Sequence, residues 1–111
     1  MADINNYKSR IMIYKRSYTA NGHGGFTQSW TEVDTVWCKI TPLVGREAFN
    51  YRQVFPKANY KVLMRYRPDV NQDMRLYYNH RYWDILSVQD LNNLHDELEI
   101  LAEVTPDEIE N

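Results

Sequence analysis

The stretch "SRIMIYKRSY", residues 9–18, constrains the fold more than any other, because its side chains alternate with period two. Ile11 and Ile13, with Lys15, fall on one face, while Met12, Tyr14, Arg16 and Tyr18 fall on the other. Successive side chains of a strand point to opposite faces, so this pattern predicts a strand with one core-facing side. "TANGHGG" follows. Asn21-Gly22 and Gly24-Gly25 tolerate positive φ, and the chain is expected to reverse there.

Phe26 to Trp30 and Thr35 to Thr41 read as further strands. The second runs into "TPLVGRE", where Pro42 removes a ladder donor, Gly45 loosens the backbone and Arg46-Glu47 open a polar, helix-compatible run. Beyond it, Ala48, Tyr51 and Phe55 fall at helical spacing while Phe49 and Val54 point elsewhere. This predicts a short helix inside a long loop over residues 44–59. "NYKVLMRYR" (59–67) is again a strand, closed by Pro68-Asp69. "MRLYYNHRYWDILSVQD" (74–90) reads as a hairpin with Asn79-His80 at its tip, a two-residue turn that needs positive φ twice. In "HDELEILAEV" (95–104), Leu98 and Ile100 alternate with Glu97, Glu99 and Leu101, as in a last strand.

About six strands with short turns and one long interrupted loop predict a mainly β fold, a small antiparallel barrel or sandwich. The expected division is a flexible N-terminus over 1–8, a barrel over 9–104 with the inserted loop 44–59, and an acidic C-terminal tail over 105–111. In that tail Thr105, Pro106 and Glu108 form a helix-start pattern too short to stand alone, so it frays or a partner completes it.

The 111 residues suit one domain. Nine Tyr, three Trp and three Phe are enough rings to fill a small core or to supply contact surface to a partner. The net charge is −2, but residues 95–111 hold seven acidic side chains and no Lys or Arg, leaving +5 on the rest. That surplus is too small and scattered to argue nucleic-acid binding by itself. One cysteine, Cys38, excludes an intrachain disulfide, and its strand-forming neighbours point to a buried structural thiol. No apolar run approaches the roughly 20 residues of a membrane span. "MADINNYKSR" lacks the apolar core of a signal peptide. No membrane contact and a cytosolic setting are expected.

Catalytic chemistry finds no support. His23, His80 and His95 have no metal-ligand spacing to one another or to Cys38. Gly22 to Gly25 lack the Lys and Ser/Thr of a phosphate-cradling loop. Asp69, Asp73 and Asp84 flank turns, with nothing to place them in a cleft. No cofactor is implied. Arg65, Arg67, Arg75 and Arg81 are interleaved with Tyr66, Tyr77, Tyr78 and Tyr82, which also fits a single-strand-binding face. The preferred reading is one packed face with the arginines solvated or against a subunit. A small nucleic-acid-binding β-barrel remains the alternative.

With these elements placed, the sequence resembles the head-tail joining (head-completion, connector stopper) proteins of tailed bacteriophages and prophages, in order from about Arg10 to Glu103. The resemblance rests on "RIMIYKR", a Gly-bearing turn, "SWTEVDTVWCKITPLVGREAF", "YKVLMRYRPDV", "DMRLYYNHRYWDILSVQD" and "LEILAEV". Cys38 stands where a small residue such as Ala is common, and His80 where the turn usually has Gly.

The resemblance implies a non-enzymatic virion protein, present in the host cytoplasm during assembly. It would bind as a ring of about twelve copies beneath the portal and its adaptor. The ring extends or closes the DNA channel, which packaged DNA passes without specific binding. It also offers the surface on which a tail terminator or tail completion protein docks. The break at Pro42 to Arg46 then starts a loop assigned to the channel and neighbouring subunits, with Arg46, Glu47, Phe49, Tyr51, Arg52, Gln53 and Phe55 as candidate contacts. Asp107, Glu108 and Glu110 are candidate partner-binding residues of the tail. Phe49, Tyr51, Val54 and Phe55 are costly to leave in water, and the barrel alone is expected to have no use for them.

Overall fold

The computed structural model describes residues 7–104. It has strands β1 (Ser9–Ala20), β2 (Phe26–Pro42), β3 (Tyr60–Arg65), β4 (Arg75–Tyr78), β5 (Arg81–Asp90) and β6 (Glu97–Val104), with one α-helix, α1 (Gly45–Arg52). The strands form a closed barrel in the order β1-β2-β3-β6-β5-β4. Every neighbouring pair is antiparallel, and β4 returns to β1. Closure gives each strand two neighbours and leaves the barrel wall no edge.

The alternation read in the sequence fills the interior. Ile11 and Ile13 of β1 meet Met64, Leu76 and Ile100, all fully buried. Burial of each such side chain stabilises the fold by about 1.5–3 kcal/mol. Trp83 stacks on Tyr60 at 4.8 Å and meets the edge of Tyr78 at 5.6 Å. Its indole N–H is buried without a hydrogen-bond partner, a cost of about 1–3 kcal/mol offset by the apolar area it covers.

The expected strands at Phe26 to Trp30 and Thr35 to Thr41 are one strand, β2. Ile13 pairs with Asp34 and Tyr14 with Glu32, so Val33 is an extra residue between them. Such a bulge shifts the phase of alternation without ending the strand. The lost period, not a lost strand, is what the sequence showed there.

β1 pairs with β4 only over Met12–Tyr14, and β2 pairs with β3 only from Cys38 to Pro42. The ladder from Lys15–Thr31 to Ala20–Phe26 therefore runs on as a two-stranded ribbon beyond the barrel wall. Six residue pairs span about 20 Å, which accounts for the long axis of the 49 × 28 × 24 Å molecule.

At the tip of the β4–β5 hairpin Asn79 and His80 have φ of 54° and 66°, as the two-residue turn required. A second turn with positive φ at Asn92, Asn93 and His95 joins β5 to β6. Tyr7 falls in the segment expected to be flexible, yet it is buried and its hydroxyl donates to Glu97 Oε2 at 2.5 Å. Burial, then the Glu97 carboxylate, push that hydroxyl far above the ordinary tyrosine range.

Candidate assembly surfaces

Pro42 ends β2 opposite Tyr60, and the Leu43 N–H donates to the Asn59 carbonyl at 2.9 Å, closing the neck of the inserted loop. Gly45 has φ of 61°, in the left-handed region, and there the chain turns out of the strand into α1. Ala48 of the helix, with Tyr51 and Phe55, packs over Leu43, Ala58, Leu101 and Leu86. Leu101 reaches this cluster because it lies on the face of β6 opposite to Ile100. Leu86 reaches it because a bulge between Ile85 and Ser87 leaves it without a ladder partner.

Polar contacts hold the same excursion. Tyr51 Oη donates to Glu99 at 3.1 Å, Lys61 Nζ to Glu47 at 2.8 Å, and Arg52 Nε to the Ala58 carbonyl at 2.9 Å. The bond to Glu47 raises the Lys61 ammonium above its ordinary value. The expectation that the barrel has no use for Tyr51 and Phe55 is therefore corrected. They build a second small core on the barrel's outer wall, because β6 and the β5 bulge leave Leu101 and Leu86 needing cover.

Left uncovered are Val44 and Phe49, which share one shallow groove, and Val54 after the helix; they are 69%, 65% and 72% exposed. Arg46 and Gln53 are exposed beside them, and Glu47 has an intrachain partner in Lys61. The tail residues Asp107, Glu108 and Glu110 lie outside the described residues.

A second surface covers the outer wall of β2, β1, β4 and the start of β5. Tyr14, Tyr77 and Tyr82 meet edge to face with centroids 4.9–6.0 Å apart. Trp30 lies 6.5 Å from Tyr82. Guanidiniums cover the tryptophans: Arg10 over Trp37 at 5.2 Å, Arg16 over Trp30 at 5.3 Å and Arg75 over Trp30 at 4.6 Å. Trp30 and Trp37 are seven residues apart in one strand, and plain alternation sends such a pair to opposite faces. The bulge at Val33 turns both outward, opposite Arg16 and Arg10.

The interleaved Arg/Tyr pattern does not form one face. Arg75, Tyr77 and Tyr82 join the outer surface, while Tyr66 and Tyr78 pack against the core. Arg67 is bidentate to Asp69 at 3.0 Å and pairs with Asp34 at 2.7 Å. It thereby holds both carboxyls below the usual aspartate range. Sequence reasoning left Trp30, Trp37, Arg10 and Arg16 unassigned as a site, although the outward face of β1 was legible.

Among the described residues no group of three or more His, Cys, Asp or Glu side chains could hold a metal ion, and no helix is long and apolar enough to cross a membrane. Cys38 is fully buried in the barrel, and burial pushes its thiol up to about 12, which leaves no thiolate for nucleophilic chemistry.

Residues 2–105 match the family model described as phage head completion protein. No curated protein matches the sequence. Among solved structures, the fold is similar to the solution structure of protein SF1141 from Shigella flexneri 2a, with a TM-score of 0.76 at 22% identity over 96% of this chain and all of that one. It is also similar to a chain in the virion of a native gene transfer agent particle, with a TM-score of 0.59 at 17% identity over 88% of this chain and 94% of that one.

Proposed function

The chain belongs to the phage head completion protein family, a structural and non-enzymatic virion family, and from that premise we propose that it works as a ring at the head-tail interface. Copies of the chain sit below the portal and its adaptor after packaging. The ring extends or closes the DNA channel and offers a docking surface to a tail terminator or tail completion protein. DNA passes through without specific binding.

The observation that supports this reading best is the exposed side of α1. Phe49 stands on a helix anchored through Tyr51, Lys61 and Arg52, with exposed Val44 just before the helix and exposed Val54 just after it. An apolar patch held on an ordered support is what a protein contact requires, because little entropy remains to be lost on binding. The nucleic-acid reading has less support, since the arginines and tyrosines of β3 to β5 divide between core, ion pairs and the outer surface.

Removal of the chain from a phage or prophage that encodes it tests the role. Filled heads without tails, or heads that lose packaged DNA, are expected. Tailed, infectious particles in its absence would overturn the proposal. The paired substitution Phe49→Ser and Val54→Ser is expected to reproduce the defect while leaving the barrel folded.

A further inference from the structure

The two edges of the ribbon are treated differently. Along β1, Lys15 and Arg16 place charge on the edge, and with Tyr18 they line one groove with Asn71, Asp73 and Met74 of the β3–β4 turn. Charge and a covering loop are the usual means of keeping a strand edge from pairing. Along β2, β3 joins only from Cys38, and the Arg67–Asp34 ion pair spans the stretch before it. From Phe26 to Glu32, β2 has β1 as its one ladder partner among the described residues. Phe26, Thr27, Gln28, Ser29, Thr31 and Glu32 are all exposed. Phe26 to Thr31 contain no proline and no charge, and Phe, Trp and Thr favour extended backbone. Alternate residues of a strand turn their N–H and C=O groups to opposite sides, so this run presents a regular row of unpaired backbone groups.

We propose that this open edge of β2 pairs, antiparallel and about a two-fold axis, with the same edge of a second copy. The two ribbons then form one four-stranded sheet in the order β1-β2-β2-β1. Backbone groups in a strand row fix the occupant as another extended strand, and an antiparallel row is complementary to itself. Residues directly opposite in such a pair share a face, so the axis passes through a residue rather than between two. Ser29 is the midpoint of Phe26 to Glu32.

With the axis at Ser29, the side chains of the two copies suit one another. Ser29 meets Ser29, Thr27 meets Thr31, Gln28 meets Trp30 and Phe26 meets Glu32. Cross-strand Ser and Thr pairs are favourable, and the ribbon already contains them: Thr19 is opposite Thr27, and the Ser17 and Thr31 hydroxyls are 2.6 Å apart. No like charges are opposed. Glu32, the one charged residue of the run, meets an aromatic ring. Arg16 is paired with Trp30 in its own copy, so the two Arg16 side chains lie three strand spacings apart. That is about 14 Å, beyond the screening length at physiological salt. The sheet ends on both sides at the charged, loop-flanked edge of β1. Pairing therefore stops at two copies and is separate from the head-to-tail contacts of a ring.

The test uses the full-length chain and the variants Ser29→Lys and Ser29→Glu, each checked in dilute solution for an unchanged melting temperature. A two-fold axis at Ser29 sets each new charge against its own copy, and a mixture of the two variants sets opposite charges together. Sedimentation up to about millimolar concentration follows the association. The native chain is expected to form a dimer and nothing larger. Each variant alone should dimerise at least about tenfold more weakly, and an equimolar mixture should recover the loss. In the native chain, every second amide from Phe26 to Glu32 should exchange more slowly as concentration rises, while the outer amides of Lys15 to Ala20 should not change. A native chain that stays monomeric at millimolar concentration would overturn the proposal. So would growth beyond the dimer, which marks head-to-tail pairing. Variants that associate as the native chain does, or a mixture no tighter than either variant, would place the contact elsewhere and overturn it too.

Discussion

Tyr51 on α1 donates its hydroxyl to Glu99 on β6 at 3.1 Å, across 48 residues of sequence. The bond fixes the helix to the barrel wall, and it separates two kinds of aromatic residue within the inserted loop. Tyr51 and Phe55 face the wall; Phe49 faces away from it. Replacing Tyr51 and Phe55 together by Ser is expected to destabilise the isolated chain by about 2–4 kcal/mol, because the second core loses most of its cover. Phe49→Ser should leave stability within about 0.5 kcal/mol. Thermal or urea unfolding of the three proteins measures the difference, and equal losses would show that Phe49 is also core.

Arg67 ties Asp34 of β2 to Asp69 of the β3–β4 turn, and both carboxyls are held below the ordinary aspartate range, chiefly by their bonds to it. In the window between the depressed and the ordinary values the unfolded chain binds more protons than the folded one, so stability there rises with pH. The contribution is complete above the ordinary aspartate pKa and is lost as pH falls through the depressed values. Arg67→Met is therefore expected to melt slightly below the native protein at neutral pH, with the gap closing in acid. Melting temperatures from about pH 2 to pH 7 check this. A gap that does not change with pH would assign the effect to packing.

Asn59 is the knot of the inserted loop. Its carbonyl accepts from Leu43, its N–H donates to Ala102, and its side chain accepts the Val104 N–H at 2.7 Å. The boundary for a harmless C-terminal truncation is thus set after Val104, which also packs against the barrel core. Deletion of residues 105–111 is expected to leave the melting temperature unchanged, whereas deletion from Val104 onward, or Asn59→Ala, should cost about 1–2 kcal/mol. If the shorter deletion folds normally but its particles fail to take tails, Asp107, Glu108 and Glu110 serve as a partner-binding arm.

The ribbon beyond the barrel should open more readily than the wall it grows from. An isolated two-stranded ribbon is marginal in water, and from Lys15 to Ala20 and Phe26 to Thr31 each strand has only the other as a ladder partner. Amide hydrogen exchange is expected to be about 100-fold or more faster there than at Ile11 and Ile13. Equal protection in the isolated chain would mean that the ribbon folds as one unit with the barrel. Protection that appears only in assembled particles would place it in a contact.

The sequence by itself determined the barrel's inside. Ile11, Ile13, Leu98 and Ile100 sit at every second residue of strands whose backbone allows no other periodicity, so the buried face of β1 and β6 follows from local geometry. The Asn79-His80 turn was legible for the same reason, since two residues joining adjacent strands have few conformations available. The outside was decided elsewhere. Whether Trp30 and Trp37 share a face depends on one extra residue, Val33, and nothing local to that residue distinguishes a bulge from a break. Tyr51 and Phe55 are core only because Leu101 and a bulged Leu86, distant in sequence, lie uncovered where α1 comes down. Alternation is a property of one strand, but the choice of what covers its outer side is made by whichever segment arrives there, and that is fixed by register and closure of the whole barrel.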